Sequence, residues 1–280
     1  MKIVLLLVDF VAVFAISLSL ISDPCYAADN NTNLGSQCSI DDKSAADNEF
    51  QINRRNLLDV LAANAPLQNG FYTTETGKKP EKDYGLIQCR GDISADDCRN
   101  CTNNITRIAS TACQKSKNVW IWFRWCFLRY SNASFFGSVE YSSAASTNDT
   151  DLDVPSMVSK GLDFMGELAQ NASKQPLMFQ TAVLDVGQSG KRYGMAQCTR
   201  DISKADCRNC LDHQLESFKS VLANKRGWEI HGSSCFMWYQ DYQFYFNIST
   251  PASEGAGKPS SHKGAAIGLI TSMLALVMVL

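Results

Sequence analysis

Residues 84–101 read YGLIQCRGDISADDCRNC, and residues 193–210 read YGMAQCTRDISKADCRNC. The two stretches align without a gap and share a Tyr-Gly pair, a glutamine, three cysteines, an Asp-Ile-Ser triplet and an Arg-Asn pair. Similarity of this density within one chain predicts two copies of one structural unit. A chain of 280 residues accommodates two such domains, each of about 100 residues.

The charge of the chain excludes one class of partner. The formal net charge is −2 at pH 7, and no long run of basic residues occurs. Nucleic-acid binding depends on a concentration of positive charge on the protein. We therefore expect no nucleic-acid partner.

The N-terminus has the pattern of a secretory signal peptide. Lys2 precedes an apolar run over residues 3–21, which only Asp9 and serines interrupt. Residues 25–27, Cys-Tyr-Ala, then provide the small residues that precede a signal-peptidase cut. We predict a signal peptide over residues 1–27. A retained membrane anchor is the alternative interpretation.

The cysteine count and the glycosylation motifs agree with export. The chain has 11 cysteines; a cut after Ala27 removes Cys25 and leaves an even number, as a disulfide framework requires. A seventh Asn-x-Ser/Thr motif, at Asn100, is set aside because its middle residue is a cysteine expected to be oxidised. The six asparagines predicted to be glycosylated are Asn30, Asn104, Asn132, Asn148, Asn171 and Asn247.

The C-terminus has the pattern of a lipid-anchor signal. Residues 264–280 are apolar to the last position, and residues 251–263, PASEGAGKPSSHK, are small and polar. This order is typical of a glycosylphosphatidylinositol (GPI) signal, whose tail is cleaved off. We predict attachment at Ser253, with its small neighbours as alternatives. A single spanning helix is the other interpretation, although the apolar run is short for one.

Each repeat predicts an α+β unit with helices packed on an antiparallel sheet. In the first repeat, Pro66 ends the first helix, and Ser94 with Asp97 forms a capping box that begins the second. The predicted elements are a helix over 53–65, strands over 71–74 and 84–89, a helix from Ser94 to about Cys113, and one aromatic strand over 119–130.

The second repeat predicts the same order. Between the two repeats, residues 142–153 are rich in Ser, Asn and Asp and indicate a linker. The predicted elements are a helix over 155–172, strands over 177–183 and 193–198, a capped helix over 203–222 and a closing β-ribbon over 234–247.

The spacing of the cysteines suggests how they pair. In the first repeat, one bond would join the second strand to the capped helix and another would join that helix to the closing strand, which leaves one further pair. The second repeat keeps only the first two kinds of pair. The predicted disulfides are Cys89–Cys98, Cys101–Cys126, Cys38–Cys113, Cys198–Cys207 and Cys210–Cys235.

The Cys-x8-Cys-x2-Cys spacing, with Tyr-Gly and Asp-Ile-Ser beside it, resembles the plant ginkbilobin-like, or stress-antifungal, domain. The resemblance covers about residues 38–136 and 154–247. It implies, for each domain, two helices packed on an antiparallel sheet of about five strands, stapled by disulfides with the same pairing of six cysteines. Tandem copies occur in cysteine-rich repeat secretory proteins, in ectodomains of cysteine-rich receptor-like kinases and in plasmodesmata-located proteins. The secretory branch is the most similar to this chain.

The resemblance also implies where a mannose site would lie. In the founding antifungal member the ligands are an Asn after the first Cys, an Arg in the strand before the last Cys, and a Glu five residues after it. Those positions hold Ser39, Trp120 and Ser131 in the first repeat, and the last two hold Glu229 and Gln240 in the second. None of the three residue types is kept, which argues against mannose binding there.

The sequence gives little support to catalysis. A Cys-x-x-Cys pair at a helix start would suit a thiol oxidoreductase, but a further Cys before each pair favours structural bonds. The first repeat has no histidine for a zinc site, and His213 and His231, in the second, have no motif partner. We therefore predict no enzyme activity, no cofactor and no metal.

The aromatic residues predict an apolar sheet face that needs a cover. If residues 119–130 form one strand and Cys126 faces the helices, the opposite face of this strand is aromatic. A face of an antiparallel sheet that is exposed to water would carry polar residues instead. Two covers are open: the sister domain, sheet against sheet, or an external protein or glycan. The residues predicted for this interface are Phe123, Trp125, Phe127, Phe236 and Trp238.

These observations predict a secreted, non-catalytic recognition or scaffolding module at the plant cell surface, in defence, cell-wall contact or surface signalling. Its expected partners are a cell-surface protein or cell-wall glycan and, through the anchor, the outer leaflet of the plasma membrane. The alternatives are a soluble carbohydrate-binding antifungal effector and an extracellular thiol oxidoreductase. The predicted organisation is a signal peptide (1–27), a first domain (28–141, core 38–136), a linker (142–153), a second domain (154–248), a polar spacer (249–263) and a cleaved tail (264–280).

Overall fold

A computed structural model of the chain describes residues 30–39, 48–79, 82–148, 156–222 and 224–246. These residues form four α-helices and ten β-strands in two successive repeats. None of the helices in the described ranges is long and apolar enough to span a membrane. The predicted signal peptide, the polar spacer and the apolar tail lie outside the described residues.

The first repeat is an antiparallel five-stranded sheet with two helices. The strands lie in the order β1-β4-β5-β3-β2, so that β1 and β2 form the edges. Its elements are β1 (Asn33–Cys38), α1 (Asn48–Asn64), β2 (Phe71–Thr76), β3 (Asp83–Cys89), α2 (Ala95–Ala112), β4 (Val119–Phe123) and β5 (Cys126–Ser131).

The second repeat has the same topology, with the order β6-β9-β10-β8-β7. The prediction of a linker over residues 142–153 is wrong in its first half, because residues 143–147 pair with β9 as an edge strand. The elements are β6 (Ser143–Thr147), α3 (Ser156–Ala172), β7 (Phe179–Asp185), β8 (Lys191–Cys198), α4 (Lys204–Leu222), β9 (Trp228–Gly232) and β10 (Cys235–Gln240). The fold is thus two tandem α+β domains, as predicted.

The residues shared by the two copies explain how each helix begins and packs. The Ser94 hydroxyl accepts a hydrogen bond from the Asp97 N–H (3.1 Å), and Ser203 does the same for Asp206 (3.0 Å), so each capped helix begins as predicted. The glycine of each Tyr-Gly pair allows the first helix to lie close to the sheet. A methyl group on Gly85 would lie 2.7 Å from Leu61 Cδ1, and the glycine at 194 has equally close helix neighbours.

Five disulfides fasten the helices to the sheets. They are the five pairs expected from the sequence: Cys38–Cys113, Cys89–Cys98, Cys101–Cys126, Cys198–Cys207 and Cys210–Cys235. The cysteines of the four shared pairs are almost completely buried. Each repeat therefore has its own disulfide-linked core between helices and sheet.

A reciprocal pair of glutamines joins the two repeats. The side-chain amide of Gln88 donates to the Cys198 carbonyl (2.8 Å), and that of Gln197 donates to the Cys89 carbonyl (3.0 Å). Both glutamines are buried, and each precedes the first cysteine of the repeated stretch. The same residue in each copy thus binds the backbone of the other copy, which places the two repeats in a nearly two-fold arrangement.

The repeated aspartates make a second reciprocal contact, with the segment after the last strand of the other repeat. We call residues 132–138 the first arm and residues 241–246 the second arm. Asp201 accepts a hydrogen bond from Gly137 N–H in the first arm (3.2 Å), and Asp92 accepts one from Phe246 N–H in the second arm (2.8 Å). Each arm is therefore held by the aspartate of the other repeat.

We predict that Gly91→Ala weakens the contact between the repeats. A methyl group there would lie 2.4 Å from Cγ of Phe179 in β7, so the ring or the backbone must shift. Overpacking of this kind lowers the free energy of unfolding by about 1–3 kcal/mol, which chemical denaturation without reductant measures.

The matched control is Gly166→Ala in α3, where an added methyl group meets no atom within 4 Å. Alanine is the better helix former, so this variant should be up to about 1 kcal/mol more stable than the wild type. Equal stabilities for the two variants would contradict the packing assigned to Gly91.

Candidate functional site

A turn at Arg124 and Trp125 determines which side chains face the second repeat. Residues 119–130, predicted as one strand, form β4 and β5 with this two-residue turn between them, so the alternation of side chains restarts at Cys126. The prediction for Phe123 is therefore wrong: it belongs to the core of the first repeat, with Val119 and Ile121. Trp120 and Trp122, which a single strand would place on the same face as Cys126, lie on the opposite face with Phe127.

The sister repeat covers this face, so that the inner faces of the two sheets lie against each other. Phe127 and Phe236, each next to the last cysteine of its repeat, meet with ring centroids 5.2 Å apart. Trp125 contacts Phe246 of the second arm at 6.1 Å. Trp238 lies beneath the Arg124 guanidinium, 4.9 Å from the ring centroid. Of the two covers left open by the sequence, the structure shows the sheet-against-sheet one.

A charged cluster lies at the margin of this aromatic contact. Arg124 Nη1 is 2.6 Å from Glu229 Oε1, and both side chains are largely buried, with 17% and 10% of their surface exposed. His231 Nε2 lies 3.1 Å from Glu229 Oε2, and the Gln240 amide donates to Oε1 (3.3 Å). Trp122 Nε1 donates to the Gly232 carbonyl beside them (2.9 Å). Each repeat contributes part of the cluster.

The cluster keeps Glu229 ionised. Burial by itself raises the pKa of the Glu229 carboxyl, but the hydrogen bond with His231 and the positive charge of Arg124 outweigh it. The pKa therefore lies below its ordinary value of 4.5. A buried carboxylate with several partners of this kind is a fixed charge at neutral pH.

A groove of about 520 Å³ opens above the cluster. One wall is formed by residues 34–37 of β1 and the other by residues 142–146, most of them in β6. Its floor consists of Trp122, Arg124, Glu229, His231 and Ser233. The volume lies in the range of ligand-binding clefts, and we call this feature the edge groove.

Of the positions that correspond to the mannose site, Glu229 lies in the floor of the edge groove, and the others make contacts within the protein. Gln240 is hydrogen-bonded to Glu229 within the charged cluster. The Ser131 hydroxyl donates to Asn118 Oδ1 (2.5 Å), and the Ser39 hydroxyl accepts from the Asn118 N–H (3.2 Å). Trp120 packs in the aromatic contact between the sheets. These side chains have taken structural roles.

The disulfides bear on the thiol oxidoreductase alternative. That alternative requires a bond within the Cys-x-x-Cys pair, whereas Cys98 is bonded to Cys89 and Cys101 to Cys126. The second repeat has the same arrangement. The two cysteines of each Cys-x-x-Cys are thus held by different partners, and this alternative is set aside.

The predicted glycosylation sites differ in their surroundings. Most of those in the described residues are exposed: Asn30, Asn104, Asn132 and Asn171. Asn148 follows β6 and is half-buried, and its Oδ1 accepts a hydrogen bond from the Gly227 N–H (3.2 Å). Asn247 and Ser253 lie outside the described residues.

Glu229, Gln240 and His231 each stand out in the sequence for separate reasons, and the structure brings them together. His213 lies elsewhere, on α4, with Nε2 3.3 Å from the Ser217 hydroxyl. The glutamines and aspartates that join the repeats occupy matching positions in the two stretches. Their recurrence was the sequence signal for the contact between the repeats. Arg124 and Glu229 are not part of the repeated stretch, so no comparable signal pointed to them.

The chain is similar in sequence to one family of plant proteins over both repeats. The family model described as "Salt stress response/antifungal" matches residues 37–133 and 146–242. The chain is 32% identical to "Antimicrobial ginkbilobin-2-like protein" from Castanea crenata over 74% of this chain and 86% of that protein. It is also 32% identical to "Cysteine-rich repeat secretory protein 55" from Arabidopsis thaliana, over 82% of this chain and 89% of that protein.

Among solved structures, the fold is similar to the tandem DUF26 ectodomain of the Arabidopsis thaliana cysteine-rich receptor-like protein PDLP8. The TM-score is 0.66 at 21% sequence identity, and the match covers 76% of this chain and 100% of that ectodomain. The corresponding ectodomain of PDLP5 matches with a TM-score of 0.63 at 21% identity, over 75% of this chain and 99% of that ectodomain. These similarities concern the fold.

We predict that Glu229→Gln makes the protein less stable at neutral pH and removes part of its acid sensitivity. Because the pKa of Glu229 is lowered by folding, the carboxylate stabilises the fold above pH 4.5, and this contribution is lost as the pH falls through the lowered pKa. The free energy of unfolding should decrease by about 2 kcal/mol at pH 7, and by less at pH 3.

Denaturation of wild type and variant at both pH values measures this difference. Glu216→Gln is the control, since the Glu216 carboxylate is 80% exposed and lies 3.9 Å from Lys219, and such a pair contributes about 0–1 kcal/mol. If Glu229→Gln lowers the free energy of unfolding by the same amount at pH 3 and pH 7, the charge of Glu229 does not stabilise the fold.

Proposed function

This chain belongs to the salt stress response/antifungal family, and we propose that it acts as a secreted, non-catalytic recognition or scaffolding module at the plant cell surface. The proposed settings are defence, cell-wall contact or surface signalling. The observation that carries the proposal is the edge groove, a ligand-sized cleft of about 520 Å³ built jointly by the two repeats. The charged cluster forms part of its floor, and the aromatic contact between the sheets lies beneath it.

The chemistry of the described residues supports binding rather than turnover. The ten cysteines of the repeats are in disulfides, which removes the thiol nucleophiles. His231, the histidine of the groove, is 3.1 Å from a carboxylate that is itself bonded to Arg124 and Gln240. A general base needs a reacting group within reach, whereas this histidine lies in a structural ion-pair network.

Display outside the cell is part of the proposal. It rests on the signal-peptide pattern of residues 1–27, on the exposed glycosylation motifs and on the disulfides, which persist in oxidising compartments. The relative from Arabidopsis thaliana is named a secretory protein. We further propose that the chain is held at the membrane by a lipid attached at Ser253.

A second candidate function is that of a soluble carbohydrate-binding antifungal effector. The observation that favours it is the 32% identity to a protein named antimicrobial and ginkbilobin-2-like. Because the positions of the mannose site hold other side chains here, this candidate requires a glycan site elsewhere, and saturable binding on a glycan array would support it.

We predict that Ala144→Tyr reduces the capture of partners at the cell surface. Ala144 is exposed, pairs with His231 and forms part of the wall of the edge groove, so a bulky ring there obstructs the groove. The full-length chain, with an epitope tag after residue 29, is expressed in plant cells and cross-linked with a membrane-impermeant reagent. Loss of about 1.4 kcal/mol of binding free energy would reduce recovery of bound proteins about tenfold.

The matched control is Val183→Tyr, an exposed position on β7 at the far edge of the second sheet. It should recover the same proteins as the wild type. If Ala144→Tyr and the wild type also recover the same proteins in the same amounts, the edge groove is not the recognition site.

We predict that phosphatidylinositol-specific phospholipase C releases the protein from intact plant cells. A GPI-attached chain loses its lipid to this enzyme and appears in the medium. The control is Ser253→Phe combined with large residues at the small positions beside it, which blocks attachment. Protein that stays on the cells after treatment would favour a spanning helix, and protein already in the medium before treatment would favour the soluble effector.

A further inference from the structure

The edge groove is lined by strand edges rather than by a sheet face. Its walls include four successive residues of the first repeat, 34–37, and five successive residues of the second, 142–146. On a strand, alternate side chains point to opposite faces, so a cavity lined by every residue in a row borders the backbone itself. The sheet orders agree, because β1 and β6 are the end strands of their sheets.

The hydrogen bonds identify which backbone groups of β6 lie on the edge that faces away from β9. The Asn148 N–H donates to the Gly227 carbonyl (3.0 Å), and the Ser233 N–H donates to the Ser142 carbonyl (3.0 Å). Residues of an antiparallel strand alternate between bonded and non-bonded pairs. The groups of 143, 145 and 147 therefore point away from β9. Within the described part of the chain, no backbone partner outside the sheet is found for these three residues.

The two walls differ in the features by which proteins block a strand edge. Such edges usually carry lysine, proline or an inward-pointing charge. β1 reads NLGSQC and β6 reads SAAST, with no charged residue and no proline in either. β1 has a bulge between Asn33 and Gly35, whereas β6 is regular over its five residues. Of the two walls, β6 is the better template for a further strand.

We propose that the edge groove binds an extended peptide segment of a partner protein, which adds as a strand to β6 while β1 forms the opposite wall. The argument for a peptide is the match of chemistry: a polypeptide in the extended form presents donors and acceptors that alternate at the same spacing as those of residues 143, 145 and 147. This proposal specifies the partner of the proposed recognition function and rests on it.

The floor of the groove restricts the sequence of the peptide. Arg124 and Glu229 face each other at 2.6 Å, so the floor presents no unbalanced charge from this pair to an incoming side chain. A charged side chain buried there would lose its hydration without a counter-ion. The peptide should therefore carry small or uncharged polar side chains toward the floor, and no proline at the residues that donate to β6.

The test uses the processed protein purified from plant cells and a phage-displayed library of random dodecapeptides as the probe. Peptides selected by the wild type are synthesised, and their dissociation constants are measured with the wild type, Ala145→Pro and Val183→Pro. Proline at position 145 removes an N–H on the edge that faces away from β9 and leaves the pairing with β9 in place. Val183→Pro does the same on the outward side of β7, the other edge strand of this sheet.

The expected result is that Ala145→Pro weakens binding about tenfold or more, while Val183→Pro binds as the wild type does. Hydrogen exchange of the wild type provides a second readout that does not depend on the folding of a variant. The bound peptide should slow exchange in the fragment that covers residues 143–147. Peptides that bind with no change in that fragment, or equally well to Ala145→Pro, would overturn the proposal.

The same experiments distinguish one other occupant, a second copy of the chain. If the wild type sediments as a dimer without peptide and Ala145→Pro as a monomer, the edge pairs with a second copy of the chain and the proposal fails. If no peptide is selected, the groove does not take a peptide. The surface cross-linking with Ala144→Tyr then still decides whether the groove recognises any partner, so the proposed function can stand when this inference falls.

Discussion

The structure depends on covering two aromatic sheet faces that neither repeat can cover alone. One face of each sheet packs on its own helices, and the other carries aromatic residues that would otherwise meet water. The reciprocal bonds of Gln88 and Gln197 hold these faces together at the centre, and Asp92 and Asp201 hold the arms at the two ends. Because each contact is made by the same position of the repeated stretch, one short motif specifies both the domain and its partner surface.

The two repeats differ in the charged side chains that each of them buries in its own domain. In the first, Arg54 lies 3.6 Å above the Tyr130 ring and pairs with Asp83 (3.0 Å), whose pKa is raised because burial outweighs that pairing. In the second, the constant offset of the repeated stretch places Arg192 where Asp83 stands, and Gly161 packs against the corresponding Tyr239. Arg192 is also buried, and its guanidinium donates to the backbone carbonyls of Ser189 and Lys191 instead of to a carboxylate.

The sequence predicted the two-domain fold, the capping boxes and an aromatic face under cover, because each depends on local pattern or on the repeat. It failed at Arg124 and Trp125, which turn the chain without the Gly, Asn or Pro typical of hairpins. The second copy indicates the turn, since its matching positions are Ser233 and Ser234 and serine is common in turns. β6 was missed because its alanines and serines have little strand propensity; its pairing with β9 is a tertiary effect. The charged cluster joins residues about a hundred positions apart, which no local pattern reveals.

The position of the charged cluster follows from how the two sheets close. The aromatic contact involves β3, β4 and β5 of the first sheet, and β1 continues beyond it as the edge. At that margin the surfaces separate, and Arg124 lies between Trp238 on one side and Glu229 on the other. Burying these charges has a desolvation cost that an apolar pair would avoid, so hydrophobic packing alone does not account for them. They form the floor of the edge groove and also join the two repeats, so a molecule bound in the groove contacts the residues that hold the domains together.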